Sequence, residues 1–438
     1  MLANFRSVLR LLHPGLGLKR WLAPLLIGLM IFGAGIILLL RELFAGAAYP
    51  LFLQWLLLQP LSAWLRALIF SIAGAGLAGY ALFQINKITL EAFLPAQTSV
   101  RDVARQVYQH RQRRGGPKVV TIGGGTGLSM LLSGLKHHTD NITAIVTVAD
   151  DGGSSGKLRR ELGVLPPGDF RNCIAALADD ESLTTQLFQY RFRSGGLEGH
   201  SFGNLFITAM AEVTGSFEEA LYESGRVLNI RGTILPSTLA DVTLFAEVNE
   251  GAQTRKVEGE SAIPEAKAPI ERVYFQPDAP PAFPPVIQAI LNADLIVAGP
   301  GSLFTSVIPN LLVFELVSAI RSSRAPKIYI CNVATQPGET DGYSVQDHIN
   351  AIETHTQVVD SVLENAGGFL FNYVLANSNQ SHPIPQAMSH LQPVLLNVAH
   401  NLGYQIVTAD VVDEERPWRH DAVKLANKLM NWHKQLKS

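Results

Sequence analysis

Five residues, Gly123-Gly124-Gly125-Thr126-Gly127, separate an apolar β-branched run from an apolar pattern of helical spacing that begins at Leu128. A glycine loop between a strand and a helix directs backbone N–H groups and the positive end of the helix toward one point, so its natural chemistry is holding an anion. No lysine follows the last glycine, which excludes a Walker A loop, and Leu128 stands where GxGxxG requires its final glycine. Tight packing of strand on helix would use the same glycines, so the loop alone names no ligand.

Asp150 and Asp151 close a second strand-like run, near the place where a dinucleotide fold keeps its ribose-binding carboxylate, about 20 residues beyond the glycine loop. Two adjacent carboxylates could equally hold Mg²⁺ already attached to phosphates. Ser154 and Ser155 follow in another glycine-rich loop, where either could simply cap a helix. Three further loops offer small polar groups: "PPGDFRN" with Asp169, Arg171 and Asn172; "GHSFGN" with His200, Ser201 and Asn204; and "AGPGSLFTSVIPN" with Gly301, Ser302, Thr305 and Asn310. Hydrogen-bonding residues recurring in loops after apolar strands point to one shared binding crevice.

The elements that must position these loops alternate. "KVVTI", "ITAIVTV", "ADLIVAG", "PKIYICNV" and "GFLFNYVLA" read as strands, with glycine loops or helical patterns between them. Such alternation predicts an α/β fold, a doubly wound, mostly parallel Rossmann-like sheet with its ligand crevice at the carboxyl ends of the strands. Asp241 to Ile263 alternates polar and apolar residues around Asn249-Glu250-Gly251 and predicts a β-hairpin insertion. The proline-rich stretch after it, "PEAKAPIERVYFQPDAPPAFPP", reads as a surface connection back to the sheet. A net charge of −2 suggests no nucleic-acid partner, and Cys173 and Cys331, far apart, fit a reducing compartment rather than a disulfide framework.

The first ninety residues are of another kind. Trp21 to Leu40 and Ala67 to Asn86 carry no charged side chain, and each has the roughly 20 residues needed to cross a hydrocarbon core. Gly74, Gly76 and Gly79 would let a partner helix approach, so the two runs predict a transmembrane hairpin. Residues 43–65, interrupted by Pro50 and Pro60, suit an interfacial or re-entrant segment better than a third span. Arg6, Arg10, Lys19 and Arg20 precede the first run and Lys87, Arg101 and Arg105 follow the second, which places both termini in the cytoplasm of a bacterial inner membrane protein. Residues 91–116 then form a basic juxtamembrane linker, and a domain of residues 117–438 follows.

"IGGGTGLS", "TAIVTVADDGGSSGKLR", "PPGDFRN", "GHSFGNL", "GPGSLFTSVIPNLLV", "YICNVATQPGET" and "RHD", in this order, resemble the YvcK/CofD-like family from about Pro117 to the end of the chain. The resemblance implies either a gluconeogenesis factor that binds a UDP-sugar and affects carbon metabolism and cell shape, or a Mg²⁺-dependent 2-phospho-L-lactate transferase using a nucleotide-diphosphate donor. "VTVADDGGSSGKLR" and "CNVATQPGET" look more like the first. Carried over by position, Gly123 to Gly127 would surround phosphate or ribose, with Asp150, Asp151, Ser154, Ser155, Asp169, Asn172, His200 and Asn204 bordering the same crevice. Gly301, Ser302 and Thr305 would face it; Asn332, Thr335 and Gln336 would meet a base or sugar, and Arg419 would bring a cation to the diphosphate. Asp150 and Asp151 would be the Mg²⁺ ligands in the transferase. A nicotinamide-dinucleotide enzyme is a third reading, weakened by the imperfect fingerprint. The two N-terminal runs depart from the shorter family members, and neither the sugar, the protein partner nor a homo-oligomer is readable from the chain.

Overall fold

The computed structural model describes residues 19–42, 58, 60–93, 113–178, 183–251, 253–363, 368–396 and 403–437. The chain divides into two compact units, Met1–Gln109 and His110–Ser438.

In the first unit, helices α1 (Lys19–Glu42) and α2 (Ala63–Phe93) extend both predicted apolar runs. They touch where side chains vanish. A Cβ added at Gly28 would lie 2.8 Å from the Ala78 nitrogen, and one at Gly74 would lie 2.6 Å from the Phe32 nitrogen. Gly76 and Gly79 face open space, so of the three glycines predicted at the contact only Gly74 is there, met by Gly28 on the other helix. Apolar side chains point outward, Met30 at 67% and Ile72 at 63% exposure among them. Trp64–Ile85 is long and apolar enough to cross a membrane, and Ala23–Leu38 is a shorter apolar helical stretch. Most of residues 43–65 and of the basic linker lies outside the described residues.

The second unit is built on a seven-stranded sheet in the order β10-β9-β8-β7-β1-β2-β3. Its strands are β1 (Val119–Gly123), β2 (Ile142–Val146), β3 (Thr233–Pro236), β7 (Leu295–Ala298), β8 (Lys327–Ile330), β9 (Tyr373–Asn377) and β10 (Gln405–Ala409), all paired in parallel. Every residue of β1 and β7 is buried, as expected of strands covered by helices on both faces. After β1 the chain adds β2 and β3 on one side, then returns to lay β7 on the other. The strand order therefore reverses between β1 and β7, and such a switch point opens a crevice at the carboxyl ends. Registers hold those ends level: Gly123 is opposite Val146, and Ile122 is opposite Ala298.

Helix α3 (Gly125–Leu135) follows β1, and α4 (Gly153–Leu162), α5 (Gly168–Leu177) and α6 (Phe202–Thr214) follow β2. The C-terminal helix α7 (Ala422–Lys437) lies so close to α3 that a Cβ at Gly134 would meet the Ala426 Cβ at 2.8 Å. The insertion differs from expectation. The hairpin of β4 (Thr243–Asn249) and β5 (Thr254–Glu258) is present, but β6 (Ile270–Gln276) joins β4 on its other side, giving a three-stranded antiparallel sheet. Residues 264–285 are thus not merely a surface connection. Pro264, Pro269 and Pro277 fall outside β6, leaving its ladder donors intact and Ile270, Val273 and Phe275 buried. Cys173 and Cys331 are buried free thiols, and burial raises the pKa of both.

Candidate functional site

A cleft of about 720 Å³ opens at the switch point. Gly124, extended at φ −170°, precedes α3, and Gly125 turns the chain into the helix with φ +61°, a left-handed conformation that a side chain would strain. Thr126 and Gly127, in the first helical turn, have no intrahelical acceptor for their amides and line the cleft with Gly124 and Gly125. One face of α3 continues along it: Thr126, Ser129, Met130 and Ser133 follow the i, i+3, i+4, i+7 spacing, so they span about 10 Å. Gly123 does not reach the cleft; it ends β1, and its carbonyl accepts from the Asn310 side chain at 3.0 Å.

The loop after β7 forms the adjoining wall. A Cβ at Gly127 would lie 2.8 Å from the Gly301 Cα, so this glycine is fixed by the approach of two loops. Gly301 and Ser302 line the cleft, as do Asn332, Thr335 and Gln336. These last three are largely occupied in holding the wall. Asn332 accepts from the Gly301 amide at 3.2 Å and donates to its carbonyl at 2.8 Å; Gln336 donates to the Ser302 hydroxyl at 2.6 Å; the Thr335 hydroxyl accepts from the Gln392 amide at 3.1 Å.

Beneath both loops lie buried carboxylates. Asp169, at the start of α5, accepts a hydrogen bond from the Gly125 amide, and burial followed by repulsion from Asp150 pushes its pKa up to about 7. Glu339 accepts from the Phe304 amide at 3.2 Å and the Thr305 hydroxyl at 3.1 Å, and burial pushes it up to about 7. Thr305 is therefore a buried support beneath the cleft wall. Glu339 was not singled out in the sequence, where it stands in "PGET" as one more loop carboxylate. Glu260, from the insertion, is pushed up to about 8 by burial and by Asp150 and Asp169; it too went unread.

The remaining expected residues form a polar cluster joined to the cleft through Asp169. Asp150 accepts from the Gly152 amide at 3.0 Å and from the Ser155 hydroxyl, and its pKa is raised, first by burial. Ser154 pairs with His200 Nδ1 at 3.0 Å, and Asn204 donates to Ser155 at 3.4 Å while its own Oδ1 is buried with no partner among the described residues. Asp151 turns away toward the insertion and accepts from the Ser261 amide at 2.9 Å. Among the described residues no group of three or more His, Cys, Asp and Glu side chains is arranged to hold a metal ion. Asp169 feels the charge of Asp150, and Arg171 that of both, whereas the Asp151 carboxylate is engaged by the insertion. Asn172 lines the cleft, its Oδ1 accepting from Arg171 at 2.6 Å.

The last wall is the loop between β10 and α7. Its ends are tied by the bridge Val412 to His420 and by the Asp413 amide on the Arg419 carbonyl at 3.0 Å. His420 Nε2 meets the Cys331 carbonyl at 3.2 Å, and burial pushes its pKa down to about 4, so the ring is a neutral clamp. Arg416 is held by Asp413 at 2.9 Å. Arg419 lines the cleft, exposed, and its guanidinium makes no ion pair among the described residues.

A parallel sheet with a cleft at its switch point, lined by helix-terminal amides and bordered by an unpaired guanidinium, defines a Rossmann-like domain suited to an anionic ligand. The chain belongs to the CofD family: residues 119–412 match the family described as 2-phospho-L-lactate transferase CofD. It is 46% identical over 325 residues to the gluconeogenesis factor of Bacillus subtilis, covering 73% of this chain and 99% of that protein. A Nostoc protein that also bears the gluconeogenesis-factor name is 46% identical over 450 residues, 96% of this chain and 92% of its own length. The crystal structure of a UPF0052 family member from Bacillus halodurans superposes with a TM-score of 0.65 at 43% identity, covering 72% of this chain and 99% of that one.

Proposed function

We propose that this chain is a nucleotide-sugar-binding regulator, held at a bacterial inner membrane by α1 and α2 with its cleft in the cytoplasm, and that a UDP-sugar is its ligand. The observation that carries this reading is the cleft chemistry left over: the Thr126 and Gly127 amides in the first turn of α3 and the Arg419 guanidinium, all bordering a space of about 720 Å³. A diphosphate matches converging donors and a cation, because charge-assisted hydrogen bonds are about twice as strong as neutral ones. The gluconeogenesis-factor names of the relatives support a role in carbon metabolism; an influence on cell shape is part of the same proposal. The outward apolar surfaces of α1 and α2 support the anchor. Titration of the purified full chain in detergent with UDP-N-acetylglucosamine, GDP and NAD, with and without Mg²⁺, tests the ligand. Preference for the uridine compound is expected, and no uridine preference would overturn the reading. Recovery of the chain in the soluble fraction of cells would overturn the anchor.

One observation favours a second reading, the transferase that the family description names. Asp150 and Asp169 supply hard oxygen ligands beside the phosphate-facing loop, with the unpaired Asn204 Oδ1 in the same cluster. This pair would hold Mg²⁺, which when bound would neutralise charge on a nucleotide diphosphate. The α3 amides and Arg419 would then orient that diphosphate. Turnover of a phospholactyl donor with preference for the guanosine nucleotide is the result that would select it.

A further inference from the structure

The side chain of Trp418 stands out in the cleft wall because no hydrogen bond or ring contact engages it among the described residues. It is half-buried and lines the cleft beside Arg416 and Arg419. Among the described residues its ring has no aromatic or cationic partner, and its indole N–H has no acceptor. The other tryptophan of this unit, Trp432, is buried and packs edge-on against Tyr373 at 4.8 Å. A partly exposed indole on a mobile loop would be unremarkable surface, but this loop is tied at three points, by the Val412 to His420 bridge, by Asp413 on Arg419 and by His420 on the Cys331 carbonyl. A flat aromatic face is thereby held in a cleft that no phenylalanine, tyrosine or other tryptophan lines among the described residues.

We propose that Trp418 is the stacking wall for the nucleobase of the ligand, an affinity-determining contact that acts with its neighbour Arg419: one residue takes the base, the next the diphosphate. This rests on the nucleotide-sugar reading above. Every nucleobase has a π-face, so the indole contributes affinity without choosing among bases, and stacking of this kind is lost when the aromatic is truncated. It also predicts which part of the ligand feels the residue: compounds with a base do, and a bare diphosphate does not.

The test uses the full chain in detergent, with UDP-N-acetylglucosamine and inorganic pyrophosphate as probes. UDP-N-acetylglucosamine is expected to quench tryptophan emission in the wild type and to leave that of Trp418→Phe unchanged, while calorimetry gives the phenylalanine variant near-normal affinity. Trp418→Ala is expected to bind the nucleotide sugar about 5- to 100-fold more weakly and pyrophosphate as tightly as the wild type. If the wild type binds UDP-N-acetylglucosamine and Trp418→Ala binds it equally well, the stacking role is overturned and the nucleotide-sugar reading stands. Equal loss of both probes in Trp418→Ala would mean that the ring only shapes the loop, which also overturns it. A wild type that binds pyrophosphate but no nucleotide sugar would remove the ligand reading itself, and the stacking wall with it.

Discussion

Asp169 accepts the amide hydrogen of Gly125 at the head of α3, and a Cβ added at Gly124 would lie 2.5 Å from its carboxylate. A buried carboxyl group therefore sits against the helix end that faces the cleft, where partial positive charge is concentrated. Glu339 does the same for the loop after β7 through Phe304 and Thr305. The two cleft-lining loops share one design: a buried acid behind each, polar groups in front.

This has a consequence for stability. The folded-state pKa of Asp169, about 7, lies above its ordinary value of 3.8, so the folded protein holds a proton that the unfolded chain releases. The stabilisation is complete below about pH 4 and is lost as pH rises toward 7, where the buried carboxylate ionises. Asp169→Asn keeps an acceptor for Gly125 without the charge. Its melting temperature is expected to exceed that of the wild type at pH 8.5, by a free-energy difference of up to a few kcal/mol, and to converge with it near pH 4. Parallel melting curves across that range would contradict the assignment.

Ligand binding inherits the same titration. A phosphate arriving at the α3 amides approaches Asp169 and favours its protonated form, so affinity for UDP-N-acetylglucosamine is expected to fall as pH rises through about 7. Asp169→Asn should flatten that profile. Added Mg²⁺ should restore affinity at pH 8 only if the Asp150 and Asp169 pair takes a cation; calorimetry at pH 6 and pH 8, with and without chelator, separates the two cases.

Much of this was legible in the sequence, for reasons that differ by element. The strands β1, β2, β7, β8 and β9 are near-continuous apolar runs because both their faces are covered. The short edge strand β3 and the half-buried β10 carry no such run, and β6 was hidden by flanking prolines. At the site, Gly124, Gly125, Thr126 and Gly127 could be placed from local order alone, as could Gly301 and Ser302. Partner choice could not. That Asp151 turns to Ser261 depends on an insertion 110 residues away in sequence, and that Asp169 comes under the charge of Asp150 depends on how α5 packs beneath the loops. Residues such as Glu339, Glu260 and Trp418 carry no local signal, since a single acid or indole in a loop looks like surface until the fold encloses it.

Two substitutions in the glycine loop separate binding from folding. Thr126 is exposed in the cleft, so Thr126→Arg should fill the phosphate position and abolish measurable nucleotide-sugar binding without a change in melting temperature. Gly125→Val would also block binding, but at φ +61° it should lower stability by roughly 1–3 kcal/mol as well. Unchanged affinity in folded Thr126→Arg would refute the phosphate assignment.

Arg419 and Arg416 provide the complementary pair on the opposite wall. Arg416 already pairs with Asp413, whose Oδ1 also accepts the Glu415 amide at 3.0 Å and the Arg416 amide at 3.2 Å. Those amides survive truncation of the Arg416 side chain, so the loop should persist in Arg416→Ala with affinity within a few-fold of wild type. Among the described residues Arg419 has no ion-pair partner to lose, and its contribution to folding is small. A charge-assisted contact to a diphosphate is worth about 1.5–3 kcal/mol, so Arg419→Ala should weaken UDP-N-acetylglucosamine binding roughly 10- to 100-fold at unchanged melting temperature. The same variant should weaken pyrophosphate by a similar factor, since the guanidinium addresses the phosphates and not the base. Loss of affinity for the nucleotide sugar alone would place Arg419 at the sugar or base instead.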